Sequence, residues 1–243
     1  MPSKATTDVE IQQKYYAESA HKYNEMHDQE KGEHYIALGL LAAMIDYFGI
    51  RSILDIGSGT GRAVAHLKKN CPGVRIVGVE PVKELREIGY QNGLSRDELI
   101  DGDALKLNFR DDEFDAVCEF GVLHHIKTPG IAVGEMLRVA KKIIFISDSN
   151  NFGRGSLPAR SVKHLLNFLG LWKAATLLQT RGKGYYLSKE DGLAYSYSVF
   201  DNYKQIEDRC KRIHLLNTAS GKINPYKTAS HVALVGVKSD AAS

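Results

Sequence analysis

Residues 51–62 read RSILDIGSGTGR, and this stretch decides the fold class. Ile53, Leu54 and Ile56 make a short apolar run that enters a turn, the pattern of a fully buried strand. Gly57, Gly59 and Gly61 follow Asp55 at alternate positions, and the helical pattern GRAVAHLKKN begins at once. Glycines ahead of a helix N-terminus let a ligand come close to backbone N–H groups that the helix leaves unpaired. A dinucleotide fingerprint needs its third glycine at position 62. Arg62 stands there, so the spacing is DxGxGxG and the nicotinamide reading weakens.

Working outward, VRIVGVE is a second apolar strand that ends on Glu80, and PVKELREIGYQNG is a helix between Pro81 and Gly93. ELIDGDALKL gives a short strand and loop, DEFDAVCEFGVLHHI a strand and turn, GIAVGEMLRVA a helix and KKIIFISDS a fifth strand. Strands alternating with helices imply right-handed βαβ units and a parallel sheet covered on both faces. Upstream, residues 8–48 read as helical; downstream, 156–180 reads as one or two amphipathic helices broken near Gly170. DNYKQIEDRC then reads as a helix, and KRIHLLNTA and SHVALVGVK as strands. Glu80 is placed to accept from both hydroxyls of a ribose. Asp103, after the third strand, is placed to take an adenine amine. Three such signals at consecutive strand ends converge on an adenosine-containing ligand at the topological switch point.

LDIGSGTG, VGVE, DGDAL and FDAVCEFGVLHHI, in this order, resemble the motifs of class I S-adenosylmethionine-dependent methyltransferases. The nearest style is the small-molecule group related to the ubiquinone and menaquinone methyltransferases. The resemblance covers residues 10–150 and extends weakly to the C-terminal strands. It implies an α/β, Rossmann-like fold: a seven-stranded, mostly parallel sheet with the last strand antiparallel and helices on both faces. Within one domain, 1–49 would be an N-terminal helical cap and 50–150 the cofactor core. Residues 151–190 would be a substrate lid inserted after the fifth strand, and 191–243 a C-terminal helix and strand hairpin. S-adenosyl-L-methionine would be the cofactor and S-adenosyl-L-homocysteine the product. By the same resemblance Asp55, Gly57, Ser58, Gly59 and Gly61 would hold the methionine part. Glu80 would take the ribose; Pro81, Val82, Asp103 and Ala104 would frame the adenine. Glu119 and Phe120 would meet the amino group, and Tyr23 would close over the cofactor, with Tyr15 and Tyr16 as competitors at the acceptor side.

Methyl transfer needs alignment of a nucleophile, exclusion of water and, for a protonated acceptor of high pKa, a general base. His124, His125 and Asp148 are the candidates near the strand tips. The two histidines are adjacent, which in an extended chain sends their side chains apart, and no HxxxH or HExxH occurs, so no metal site is expected.

The chain has 243 residues with 43% hydrophobic and 25% charged residues, a globular composition. Three cysteines (Cys71, Cys118, Cys210) without a CxxC fit a reducing compartment, so a cytoplasmic location is expected. No apolar run reaches the roughly 18 residues of a membrane span. Net charge is −5 over residues 1–150 and +8 over 151–243. The basic block suggests an acceptor with an acidic group, held by Arg154, Arg181 and Lys183 with help from Asn150. Packing of the apolar face on the sheet, or peripheral contact of 156–180 with an anionic membrane, are the competing readings. An RNA methyltransferase and a cofactor-binding protein without turnover stay as alternatives. EFGV at the fourth strand tip lacks the Pro-Pro-aromatic pattern of base-amine methylation. A monomer and a homodimer fit the sequence equally.

Overall fold

The computed structural model describes residues 7–22, 32–188, 191–219 and 224–239; Tyr23 lies outside them. Five strands follow the expected alternation: β1 (Ser52–Ile56), β2 (Arg75–Val79), β3 (Leu99–Ile100), β4 (Phe114–Phe120) and β5 (Ala140–Ser149). They pair in parallel, and β9 (His231–Val237) inserts antiparallel between β5 and β8 (Arg212–Asn217). The sheet order is β3-β2-β1-β4-β5-β9-β8, which is the seven-stranded arrangement expected, with the C-terminal strands paired as a hairpin. The order reverses between β1 and β4, so a crevice opens at their carboxyl ends.

Alternation along the strands splits the core in two. Leu54, Ile56, Val117 and Ile144 face α5 (Pro129–Val139), whose Val133, Met136 and Leu137 are buried. Ile53, Ala116, Ile143 and Phe145 face α2 (Glu33–Met44) and α3 (Arg62–Asn70). Both faces are covered, which is why these strands are continuous hydrophobic runs rather than alternating ones. Among the described residues, no helix is long and apolar enough to cross a membrane.

A capping box at Thr7 and Glu10 starts α1 (Asp8–Ser19). It lies across the strand ends with α4 (Lys83–Gln91) on one side and a hairpin on the other. That hairpin, β6 (Tyr185–Ser188) with β7 (Gly192–Tyr195), was not anticipated. Its signal was present, because Asp191-Gly192 precedes an apolar run and Gly192 has φ +66°. The chain then passes through α8 (Tyr203–Glu207) to β8. The insertion's helices are α6 (Leu157–Phe168) and α7 (Trp172–Gln179), separated by Gly170 at φ +70°.

Candidate active site

A cavity of about 510 Å³ occupies the crevice, within the roughly 300–1,000 Å³ range of small-molecule sites. Its wall joins the ends of β1 (Gly57), β2 (Glu80, Pro81, Val82), β3 (Asp103, Ala104) and β4 (Phe120, Gly121). Gln12 and Tyr16 of α1 and Tyr195 of β7 close it from above. All three sequence signals therefore meet on one space.

The carboxylate of Glu80 is fixed by two backbone donors. Gly59 N donates to Oε2 and Val82 N to Oε1, both at 2.9 Å. Burial nevertheless pushes its pKa up to about 7. Asp103 accepts from Leu105 N at 2.8 Å, which fixes its orientation on the wall. A Cβ at Gly57 would lie 2.5 Å from a Val122 methyl, and φ there is +65°, so only glycine leaves this floor open. Gly57→Ala is expected to cost about 2–4 kcal/mol from strain and overpacking, read by thermal denaturation. Gly73→Ala is the control: its φ is +86° but its Cβ would meet open space. Equal losses in the two variants would remove Val122 from the account.

Other proposed cofactor residues take supporting places. Asp55 is buried on the α2–α3 side of β1, where Cys118 Sγ lies 3.8 Å from Oδ1, and burial raises its pKa to about 7. Ser58 Oγ donates back to the Asp55 carbonyl at 2.9 Å. Gly61 caps α3, and a Cβ there would strike Leu94 at 2.2 Å. Glu119 turns its carboxyl into the interior, accepting from Val122 N at 2.8 Å, and burial raises its pKa far above the usual carboxylate range. These residues shape the turn and the strand tip; none of their side chains lines the cavity.

The two histidines occupy a 3₁₀ turn, Leu123–His125, instead of an extended segment. Their rings therefore converge, with centroids 3.9 Å apart, which corrects the expectation that adjacency sends them apart. His124 is pinned by two acids: Nδ1 lies 2.7 Å from Asp148 Oδ1 and Nε2 lies 3.1 Å from Asp191 Oδ2. Burial opposes its charge, but the Asp148 carboxylate and these bonds outweigh burial and raise its pKa to about 10. Asp148, itself wholly buried, is held down at about 2 against burial by the His124 charge. It also accepts from Ser149 N at 2.5 Å, so it anchors His124 and is not itself a base open to an acceptor.

His125 has the opposite character. Its Nδ1 donates to the Leu193 carbonyl at 2.6 Å, and its Nε2 faces both Tyr16 Oη at 3.0 Å and Asp191 Oδ1 at 3.3 Å. Burial first, and the His124 charge second, push its pKa below the ordinary value. It lines the cavity. Asp191, Gln12 and Asp8 were missed by the sequence reading. Gln12 ties α1 to β7 by accepting from Leu193 N at 2.5 Å, and Asp8 accepts from Tyr195 Oη and Lys127 at 2.8 and 2.9 Å. Gln12 and Tyr16 are one helical turn apart, and that spacing was the available signal. His124, His125 and Asp191 bring three potential metal donors within 4.8 Å of one another, a grouping that adjacency had been taken to forbid.

Five acceptor-side residues do not reach the cavity. Asn150 is fully buried and donates to the carbonyls of Pro225, Tyr226 and Ala229, so its amide is spent on holding a loop. Arg154 pairs with His231 Nε2 at 2.8 Å, and Arg181 and Lys183 are exposed beyond α7. Charge alone does not place a side chain, and here the insertion runs away from the crevice. Tyr15 packs against Gly192, while Tyr16 lines the cavity.

Residues 54–144 match the family model described as "Methyltransferase domain". Over this stretch the chain is similar to methyltransferases, in line with the resemblance carried by its motifs. The chain is 38% identical over 94 residues to demethylmenaquinone methyltransferase of Deinococcus radiodurans, covering 37% of this chain and 38% of that protein. It is 41% identical over 90 residues to the probable tRNA methyltransferase 9B of Homo sapiens, covering 36% of this chain and 18% of that protein. The chain thus matches less than two fifths of either relative's length. The fold as a whole is that of magnesium protoporphyrin IX methyltransferase from Synechocystis PCC 6803, solved with bound S-adenosylmethionine. The TM-score is 0.62 at 14% identity, over 98% of this chain and 100% of that one.

Proposed function

We propose that this protein transfers a methyl group from S-adenosylmethionine to an oxygen or nitrogen of a small acceptor, with His125 as general base. The observation that carries the reading is an imidazole, oriented by the Leu193 carbonyl, on the wall of the cavity that also holds Gly57, Glu80 and Asp103. S-adenosylmethionine supplies an electrophilic methyl on a charged sulfur leaving group. Glu80 anchors the ribose, Asp103 and Ala104 border the adenine, and the Gly57 floor admits the methionine part. Tyr16 orients the His125 lone pair until an acceptor O–H or N–H takes its place. Burial, and after it the charge of the Asp148–His124 pair, disfavour protonation of His125 against the pull of Asp191. The roof made by α1 and β7, tied through Asp8, Lys127 and Tyr195, favours a small acceptor over a polynucleotide. With Arg154, Arg181 and Lys183 outside the cavity, an acidic group on the acceptor has no support.

The test is transfer of labelled methyl to a panel of phenols, hydroquinones and amines, alongside bulk tRNA. Label on a small acceptor, lost in His125→Ala, is the expected outcome. Label on tRNA alone would replace this reading with the RNA one. Binding of S-adenosylhomocysteine without transfer to any acceptor would make the chain a binding protein.

A further inference from the structure

Helix α6 is turned inside out. Its polar side faces the protein: Lys163 Nζ donates to the Asn151 and Arg154 carbonyls at 2.9 and 3.2 Å. His164 stacks on Phe152, and Asn167 reaches Tyr226. Its apolar side faces away, with Leu165 57%, Phe168 87% and Leu169 54% exposed. No residue of α6 is buried, and in α7 only Thr176 is. Further along the same segment Leu178 is 83% exposed and Leu187 on β6 59% exposed. A globular helix normally does the reverse, because each large apolar side chain left in water forfeits about 1.5–3 kcal/mol of burial. The reading in which this helix packs its apolar face on the sheet is therefore excluded.

We infer that the α6–α7 hairpin docks on an anionic lipid bilayer. Charge selects that occupant. Residues 151–188 carry six Lys and Arg and no Asp or Glu. Lys173, Arg181 and Lys183 are exposed in the same segment as the apolar residues, the composition of a helix lying in the interface of negatively charged lipid. A two-fold copy would set the same basic segment against itself, since isologous contacts are self-complementary.

The test uses the full chain and sedimentation with vesicles of phosphatidylcholine, with and without phosphatidylglycerol. Binding at least about tenfold stronger to the anionic vesicles, and weakened by salt, is expected. Phe168→Ser with Leu178→Ser lowers it about tenfold or more on both vesicle types. Lys173→Glu with Arg181→Glu and Lys183→Glu removes the preference for anionic lipid. Both sets leave S-adenosylhomocysteine affinity unchanged, because none of these residues lines the cavity; this separates lost docking from lost folding. Failure of the wild type to bind anionic vesicles overturns the inference. A dimer in solution that the Phe168–Leu178 variant dissociates would show a second copy on this face and overturn it equally.

Discussion

Glu80→Ala is expected to weaken S-adenosylhomocysteine binding about 100-fold by calorimetric titration. Two charge-assisted hydrogen bonds to a ribose, each about 1.5 kcal/mol, give that factor. The variant also changes how both affinity and stability respond to pH, and there the sign is fixed by burial. The folded pKa of Glu80 is raised from 4.5 to about 7, so folding favours the protonated acid. Its contribution to stability is highest below 4.5, declines as pH rises toward 7, and stays reduced above that. The total is on the order of 3 kcal/mol. Wild-type protein without cofactor should lose stability across this window, and the variant should show a shallower decline, with Asp55 and Glu119 among the buried acids that supply what remains. The ionised carboxylate is the better ribose acceptor, so wild-type affinity should rise through pH 7 while the variant's stays flat. A variant that binds as tightly as wild type would remove Glu80 from the cofactor site. The residue is thus held in a state that costs the empty fold and serves the ligand, a common compromise at functional sites.

His125→Ala should lower kcat about 10²- to 10³-fold, in the range of a lost general base, while S-adenosylhomocysteine affinity changes by less than about threefold. The pH profile is the sharper measurement. A base works when neutral, so rate falls as pH drops through its pKa. For His125 that limb should lie below 6.5, because burial and the His124 charge both disfavour protonation. His124→Gln removes the charge while its amide still donates to Asp148, so the limb should move up toward 6.5. An acid limb that stays in place would mean that His124 merely fills space, and that the base is another group. The two variants together separate a catalytic residue from one that acts through it.

How much of this was legible in the sequence differs from residue to residue. The DxGxGxG turn, Glu80 and Asp103 were readable because each depends on local geometry: a strand end, a turn, the start of a helix. A parallel sheet then brings consecutive strand ends to one crevice by topology alone, so order along the chain became proximity in space. The alternation from residue 51 to 149 likewise determined the sheet, because strands covered on both faces leave continuous apolar runs. The roles of the histidines were not readable. LHHI is compatible with either ring as base; a 3₁₀ turn, a buried Asp148 and an Asp191 delivered from 67 residues downstream raise the pKa of His124, while burial lowers that of His125 on the cavity wall. The basic insertion was read as amphipathic, as its helices are, and as bordering the acceptor, whereas Arg154, Arg181 and Lys183 lie outside the cavity lining. Periodicity reports that a helix has an apolar face; only the packing of Lys163, His164 and Asn167 against the domain decided that this face points to solvent. Local physics is written in short stretches of sequence, whereas the direction a face turns and the charge a buried group carries depend on contacts between segments far apart in the chain.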